Sequence, residues 1–322
     1  MVAGNGIICS ICHADLEDKH DGEYNFCFHG GYCTFKINIY KGNNMYIESI
    51  KKRSSIRTYT LETFSDEKIR EIEIILKNVS SPPFGTHGRF ALIRLDPSEG
   101  SMLKTMTTYG IIKNPQYFLV GLIDKDKGNL VDFGFAFEKI ILDLTSMDIG
   151  TCWLGGTFNK SLLARYAQCL DDEVIPCVVA LGYGANKKSP TDRLIRFMAA
   201  SHSRKEGHVL FFQNNFKEVT SLTNPYYQQA LEMVRLAPSA SNKQPWRILC
   251  ENRCFHFYLD RNPAYNKLID FLNLSDLQLV DMGIAMCHFE LALLDEKIPG
   301  QFEFLQEMDT QLYTYISSFR CL

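Results

Sequence analysis

Apolar residues recur at helical spacing over residues 64–78, "FSDEKIREIEIILKN", where Ile69, Ile72, Ile75 and Leu76 share one face and predict an amphipathic helix. Residues 89–95 and 117–123 are short runs rich in aliphatic and aromatic residues and predict strands. Residues 131–148 are apolar over most of their length and predict a long amphipathic or buried helix. The run "IPCVVALGYG" at 175–184 is continuously apolar until its glycine turn, the pattern of a buried strand. From Met45 onward helices alternate with strands.

The order then partly repeats. "LVDFGFAFEKIILDL" at 130–144 is echoed by "LVDMGIAMCHFELAL" at 279–293. Each copy is preceded by a helix, a proline-containing loop and a strand, with "SSPPFG" in the first loop and "LAPSASNKQPW" at 236–246 in the second. Two such units predict a pseudo-symmetric pair of halves in one chain, like a homodimer fused end to end; a solenoid needs more units. The expected organisation is an extension over 1–44, a first half over 45–200, and a connector with the second half over 201–322.

Composition keeps this picture and narrows the partners. At 46% hydrophobic and 22% charged the chain has the make-up of a globular protein, and its formal net charge of -3 with scattered basic residues argues against nucleic acid. No apolar run is read as long enough to span a bilayer, and the first 20 residues lack a secretory pattern, so the expectation is a cytoplasmic protein with no membrane partner. Cys152, Cys169, Cys177, Cys250, Cys254 and Cys287 stand singly in apolar segments, as free thiols do in a reducing compartment.

Three segments carry candidate chemistry. "KKRSSIRTY" at 51–59 sets Arg53, Ser55 and Arg57 within five residues, and two guanidinium forks with a hydroxyl can converge on one phosphate. In the 236–246 loop Pro238 stops a helix, Ser239, Ala240 and Ser241 permit close backbone approach, and Asn242 and Gln244 offer amides. Gly155 and Gly156 close "MDIGTCWLGGTF" at 147–158; this is read either as a place where backbone N–H groups approach a ligand edge or as a turn between helices. Singly, each has an ordinary structural explanation.

As a set they resemble the FMN-dependent nitroreductase family, which combines an Arg-x-Ser-x-Arg element, a Pro-Ser-x-x-Asn-x-Gln-Pro-Trp loop, an Asp-x-Gly-x-Ala helix start, a Gly-Gly turn and an Ala-Leu-Gly-Tyr strand. Here these are residues 53–57, 238–246, 132–136 with a copy at 281–285, 155–156 and 180–183. The resemblance covers about 45–304. It is nearer to the family's tandem, single-chain branch, because the first half has only "SSPPFG" where the full loop belongs. It implies an α+β fold of two tandem halves, each with a central mixed sheet flanked by helices. It also implies an NAD(P)H-dependent FMN oxidoreductase that passes electrons to a nitroaromatic, quinone or similar acceptor by a ping-pong mechanism, with no side-chain nucleophile. FMN would be held by Arg53, Ser54, Ser55 and Arg57 together with Arg204 or Lys205 at the phosphate. Pro238, Ser239, Ala240, Asn242 and Gln244 would line the ribityl chain and ring, and Gly155 and Gly156 the ring edge where charge accumulates. Ala240 stands where relatives often carry a hydroxyl. One FMN per chain is expected, because only one site can unite these elements, and the unit is expected to act as a monomeric pseudo-dimer. The alternatives are a flavin-binding protein with little turnover and a specialised flavin reaction such as reductive dehalogenation.

Residues 1–44 fall outside the resemblance. Cys9, Cys12, Cys27 and Cys33 could hold zinc or an iron–sulfur cluster, but the second pair is widely spaced and no metal site is expected. No phosphate-binding P-loop, hydrolase nucleophile elbow or dinucleotide fingerprint is present.

Overall fold

The computed structural model describes residues 17–19, 23–28, 31–35, 45–79, 81–94, 112–156, 158–185, 203–262, 275–306, 308 and 310–322. They fall into two units, Met1–Met45 and Tyr46–Leu322. The first contains an antiparallel sheet of β1 (Glu17–Lys19), β2 (Glu23–Phe28) and β3 (Gly31–Phe35). Its register sets Cys33 opposite Phe26 and Cys27 opposite Tyr32, while Cys9 and Cys12 lie outside the described residues.

The larger unit follows the order α1 (Met45–Lys52), α2 (Asp66–Lys77), β4 (Arg89–Arg94), β5 (Tyr117–Asp124), α3 (Leu130–Ser146), β6 (Gly150–Leu154), α4 (Lys160–Tyr166), β7 (Glu173–Val174) and β8 (Val178–Gly182). It continues with β9 (Phe211–Gln213), β10 (Asn215–Val219), α5 (Pro225–Leu236), β11 (Trp246–Glu251), β12 (Cys254–Leu259), α6 (Leu277–Asp295), β13 (Gly300–Glu303) and β14 (Thr314–Cys321). The helix starts are set locally. Ser65, Asn129, Asn224 and Asp276 each accept a hydrogen bond from a first-turn amide of α2, α3, α5 and α6, and Pro225 follows its cap at a position where a missing N–H is harmless.

Two sheets result. The first has the order β4-β5-β8-β6, with β7 paired to β5; the second runs β10-β9-β11-β12-β14-β13. The run β4-β5-β8-β6 is matched in chain order and in antiparallel sense by β11-β12-β14-β13. Both sheets are mixed at an edge: β9 lies parallel to β11, and the segment at Ser55 makes a parallel bridge to Thr151 of β6.

Alternation along β5 explains how one sheet serves two cores. Tyr117, Leu119 and Ile123 face the main core, while Phe118, Val120 and Leu122 face a second cluster with Tyr59, Leu163 and Ala180. Between the sheets, α3 packs on β5 and β6, α6 packs on β11 and β12, and the two helices pack on each other. Their crossing is set by a reciprocal pair of glycines. A Cβ on Gly134 would lie 2.2 Å from the Val280 carbonyl oxygen, and one on Gly283 would lie 1.9 Å from that of Val131. The backbones meet because neither residue has a side chain.

The main helices and strands predicted from the sequence are present within a few residues of their expected ends. Two features differ. Residues 150–154, read only as the approach to a glycine turn, form β6, and the segment "LFFQNNF" within the connector supplies β9 and β10. In addition, α6 is long and apolar enough to cross a membrane by length and composition, contrary to the expectation that no such run exists. It is apolar on all sides because it is buried on all sides, between the second sheet, α3 and α5. Phe133, Phe135 and Phe137 of α3 are core residues, at most 1% exposed.

Candidate functional site

The loop from α5 to β11 is bent into an uncommon backbone. Ser241, Asn242 and Gln244 all have φ between 47° and 54°, the left-handed region that non-glycine residues seldom occupy. Three sets of bonds hold it. Within the loop, the Gln244 amide donates to Ser239 Oγ at 2.9 Å, and the Asn242 amide donates to the Ser239 carbonyl at 2.9 Å. From α6, the buried Asp281 carboxyl accepts the Ala240 amide at 2.9 Å, and burial raises its pKa well above the usual carboxylate range. From the connector, Arg204 Nη1 donates to Asn242 Oδ1 at 2.8 Å, and the Lys205 amide donates to Gln244 Oε1 at 2.9 Å.

Asn242 Nδ2 also donates to the Ser203 carbonyl at 2.7 Å. The amides of Asn242 and Gln244, read from the sequence as open to a ligand, are therefore engaged by residues 203–205, and they brace the loop. Asp132 repeats the arrangement in the first half, accepting the Phe84 and Thr86 amides at 2.9 and 2.8 Å.

The other predicted elements approach the loop along a continuous path. The Ile56 amide donates to the Thr151 carbonyl at 2.8 Å, so the segment containing Arg53, Ser55 and Arg57 runs beside β6. At the end of β6, Gly155 packs against the first residue of α6; a Cβ there would lie 2.5 Å from Leu277 Cδ1. Asp281 is one turn further along that helix and binds Ala240. Ser54 and Gly156 are exposed, and Pro238 is half-buried.

Charge links the two ends of this path. The side chain of Arg53 is 6% exposed, and its Nε has no hydrogen-bond partner. Arg204 has its pKa pushed down to about 10, first by burial and then by the positive charges of Arg53 and Arg235. Lys205 is lowered too, by burial and then by Arg247. Arg235 is satisfied separately, by both Glu232 oxygens at 2.6 Å. Arg53, with its side chain buried, and the half-buried Arg204, 151 positions apart in the sequence, are thus cations close enough to repel each other. Such an arrangement suits an anion.

Sequence reasoning missed the residues behind Arg53. Glu138 of α3 and His288 of α6 are both 0% exposed, and Glu138 Oε1 lies 2.9 Å from His288 Nε2. Trp153 of β6 donates to Glu138 Oε2 at 2.8 Å, and Arg53 Nε lies 3.7 Å from Oε1. The available signal was Glu138 itself, which with Lys139 interrupts the otherwise apolar stretch 133–142. A groove of about 630 Å³ beside the connector, lined in part by Phe211, Leu231, Glu232 and Arg235, shares none of the residues expected to hold FMN. Among the described residues no group of three or more His, Cys, Asp or Glu is gathered closely enough for a metal ion.

A family model described as "Putative TM nitroreductase" matches residues 45–293. The fold is similar to a nitroreductase from Thermotoga maritima, at 20% identity over 88% of this chain and 96% of that one, with a TM-score of 0.52. Shorter matches include a nitroreductase family protein from Clostridium difficile 630, at 17% identity over 46% of this chain and 88% of that one, TM-score 0.36. Another is a nitroreductase from Desulfovibrio desulfuricans in complex with FMN, at 25% identity over 46% of this chain and 94% of that one, TM-score 0.35. A search of curated proteins finds no match.

Proposed function

The chain belongs to the TM nitroreductase family, and on that premise we propose that it is an FMN-dependent oxidoreductase passing electrons from NAD(P)H to a small electron-poor acceptor such as a nitroaromatic or quinone. The observation that carries the reading is the pair of guanidiniums, the buried Arg53 and the half-buried Arg204, with Arg53 Nε lacking a hydrogen-bond partner among the described residues. A buried guanidinium whose paired carboxyl stops at 3.7 Å, beyond hydrogen-bond length, is left short of acceptors, and a phosphate supplies them. Arg53, Ser54, Ser55 and Arg57 with Arg204 and Lys205 would hold the phosphate end. Pro238, Ser239, Ala240, Asn242 and Gln244 would form the wall along the ribityl chain and ring, and Gly155 and Gly156 the ring edge.

When bound, FMN supplies the hydride and electron chemistry. The protein's part is to bind, orient and exclude water. The strained loop is braced by Asp281 from one side and by Arg204 and Lys205 from the other, so its shape is fixed before any ligand arrives. Donor and acceptor would use one face in turn, which is the ping-pong order. We also read 45–200 and 201–322 as halves of a fused pseudo-dimer with one FMN. The matched strand orders of the two sheets support this, as does the presence of the Arg53 element in one half and the full loop in the other.

The test is the visible spectrum of the purified protein, supplied with FMN, before and after anaerobic NAD(P)H. The expected result is a yellow protein with about one FMN per chain that bleaches. A colourless protein that takes up no FMN overturns the proposal, and one that stays yellow with either nicotinamide reduces it to flavin binding without this turnover.

A further inference from the structure

Arg53 follows α1, and its amide donates to the Ser49 carbonyl at 2.8 Å, so its backbone is tied to the helix end. Its side chain is less well tied. The only ion pair it makes among the described residues is with Glu138, and that pair is made through Nε at 3.7 Å, beyond hydrogen-bond length. The carboxyl thus lies nearest the elbow of the guanidinium, and among the described residues the terminal fork, an edge that matches phosphate oxygens, has no other acidic partner.

Glu138 itself has little freedom. Trp153 Nε1 donates to one oxygen, His288 Nε2 meets the other, and the second ring nitrogen of His288 donates to the Met233 carbonyl at 2.9 Å. The acceptor on Met233 requires a proton on His288 Nδ1, and the 2.9 Å contact of Nε2 with Glu138 Oε1 requires a further proton shared between ring and carboxyl, so both ring nitrogens are engaged and the ring is fixed. Three elements, α3, α6 and β6, with α5 behind them, therefore converge on one carboxyl group that touches no solvent.

We propose that Glu138 is the positioning residue for Arg53: held by His288 and Trp153, it keeps the Arg53 guanidinium in the site with its fork available to an anionic group. The proposal depends on the flavin reading only for the identity of that anion. Two opposing effects bear on its sign. Removing the formal negative charge strengthens the positive field felt by a phosphate, but it also removes the one group that holds a buried, repelled cation in place. Because Glu138 meets the elbow and does not compete for the fork, positioning dominates, and its loss weakens binding.

The test is equilibrium binding of FMN and of riboflavin, which lacks the phosphate, to wild type, Glu138→Gln, Arg53→Ala and the double variant. Thermal unfolding in inorganic phosphate is the second readout. Glu138→Gln keeps the shape and the acceptor for Trp153. Its FMN affinity is expected to fall about tenfold with riboflavin unchanged, and it should add nothing once Arg53 is alanine. Equal changes for both flavins, no change for either, or tighter FMN each overturn the proposal and leave the flavin reading intact. If wild type takes up neither flavin, the flavin reading fails and phosphate decides: stabilisation lost in both Glu138→Gln and Arg53→Ala keeps the proposal, and a response that is absent or insensitive to Glu138→Gln overturns it.

Discussion

Gly283→Ala tests the geometry on which the whole site depends. The added Cβ would sit 1.9 Å from the Val131 carbonyl oxygen and 2.6 Å from the Phe135 amide nitrogen. Both neighbours are backbone atoms of α3, so no side chain can rotate away, and the helices must separate by about 1.5 Å to restore contact distance. Overpacking of this kind costs about 1–3 kcal/mol and more where backbone must move, so about 3–4 kcal/mol is expected here. Alanine returns about 1 kcal/mol through its better helix propensity, leaving a net loss of about 2–3 kcal/mol. For a unit of this size that is a fall in Tm of roughly 5–10 °C, readable by calorimetry or circular dichroism. Gly207→Ala is the control, because its nearest neighbour would be an ordinary 3.6 Å away. FMN affinity should fall with Gly283→Ala as well, since Asp281, two residues earlier, holds the Ala240 amide. A Gly283→Ala protein as stable as the control would show that the helices do not cross this closely.

Further outcomes follow from other contacts. Asp281→Ala removes the side-chain acceptor of the Ala240 amide, and should lower stability by about 1–3 kcal/mol and weaken FMN and riboflavin alike, because the loop itself is loosened; unchanged binding of both would refute the bracing role. Arg204→Ala should weaken FMN more than riboflavin in titrations monitored by flavin fluorescence, and a parallel loss would remove Arg204 from the phosphate end. Burial raises Glu290 to about 7 in the fold, above its ordinary value of 4.5. A raised carboxyl contributes stability that is present below about pH 4.5 and lost as pH rises through about 7, so Glu290→Gln should gain stability relative to wild type over that window in urea titrations at several pH values. A difference that is flat with pH would contradict it.

Much of the fold was legible because it rests on local rules. The 3.6-residue spacing of Ile69, Ile72 and Leu76 and the unbroken apolar run at 178–181 each specify an element without reference to distant residues. β6 was missed for the opposite reason: its pairing partner β8 is distant in sequence, and its own five residues sit between a helix end and two glycines. The segment at Ser55 joins β6 by a bridge that no spacing announces. In the site, the elements could be read as a set, but the roles of Asn242 and Gln244 could not, since their amides bond to a connector whose position depends on the folded chain. The partnership of Glu138 with His288 spans 150 positions and leaves only an acid beside Lys139 in an otherwise apolar stretch as its trace.

That partnership also bears on how such a chain can change. Aligning Asp132 with Asp281 sets Glu138 against Cys287 and Lys139 against His288, so the mirror image of the Glu138–His288 contact falls on Cys287 and Lys139. In an assembly of two identical subunits, any acid placed near the axis arrives twice, and so does any histidine set to meet it. A single chain of two fused halves, the organisation proposed above, is released from that duplication. It can install one ionisable pair at the helix crossing and keep a thiol and an amine in the mirror position, letting selection act on one side of the molecule without disturbing the other.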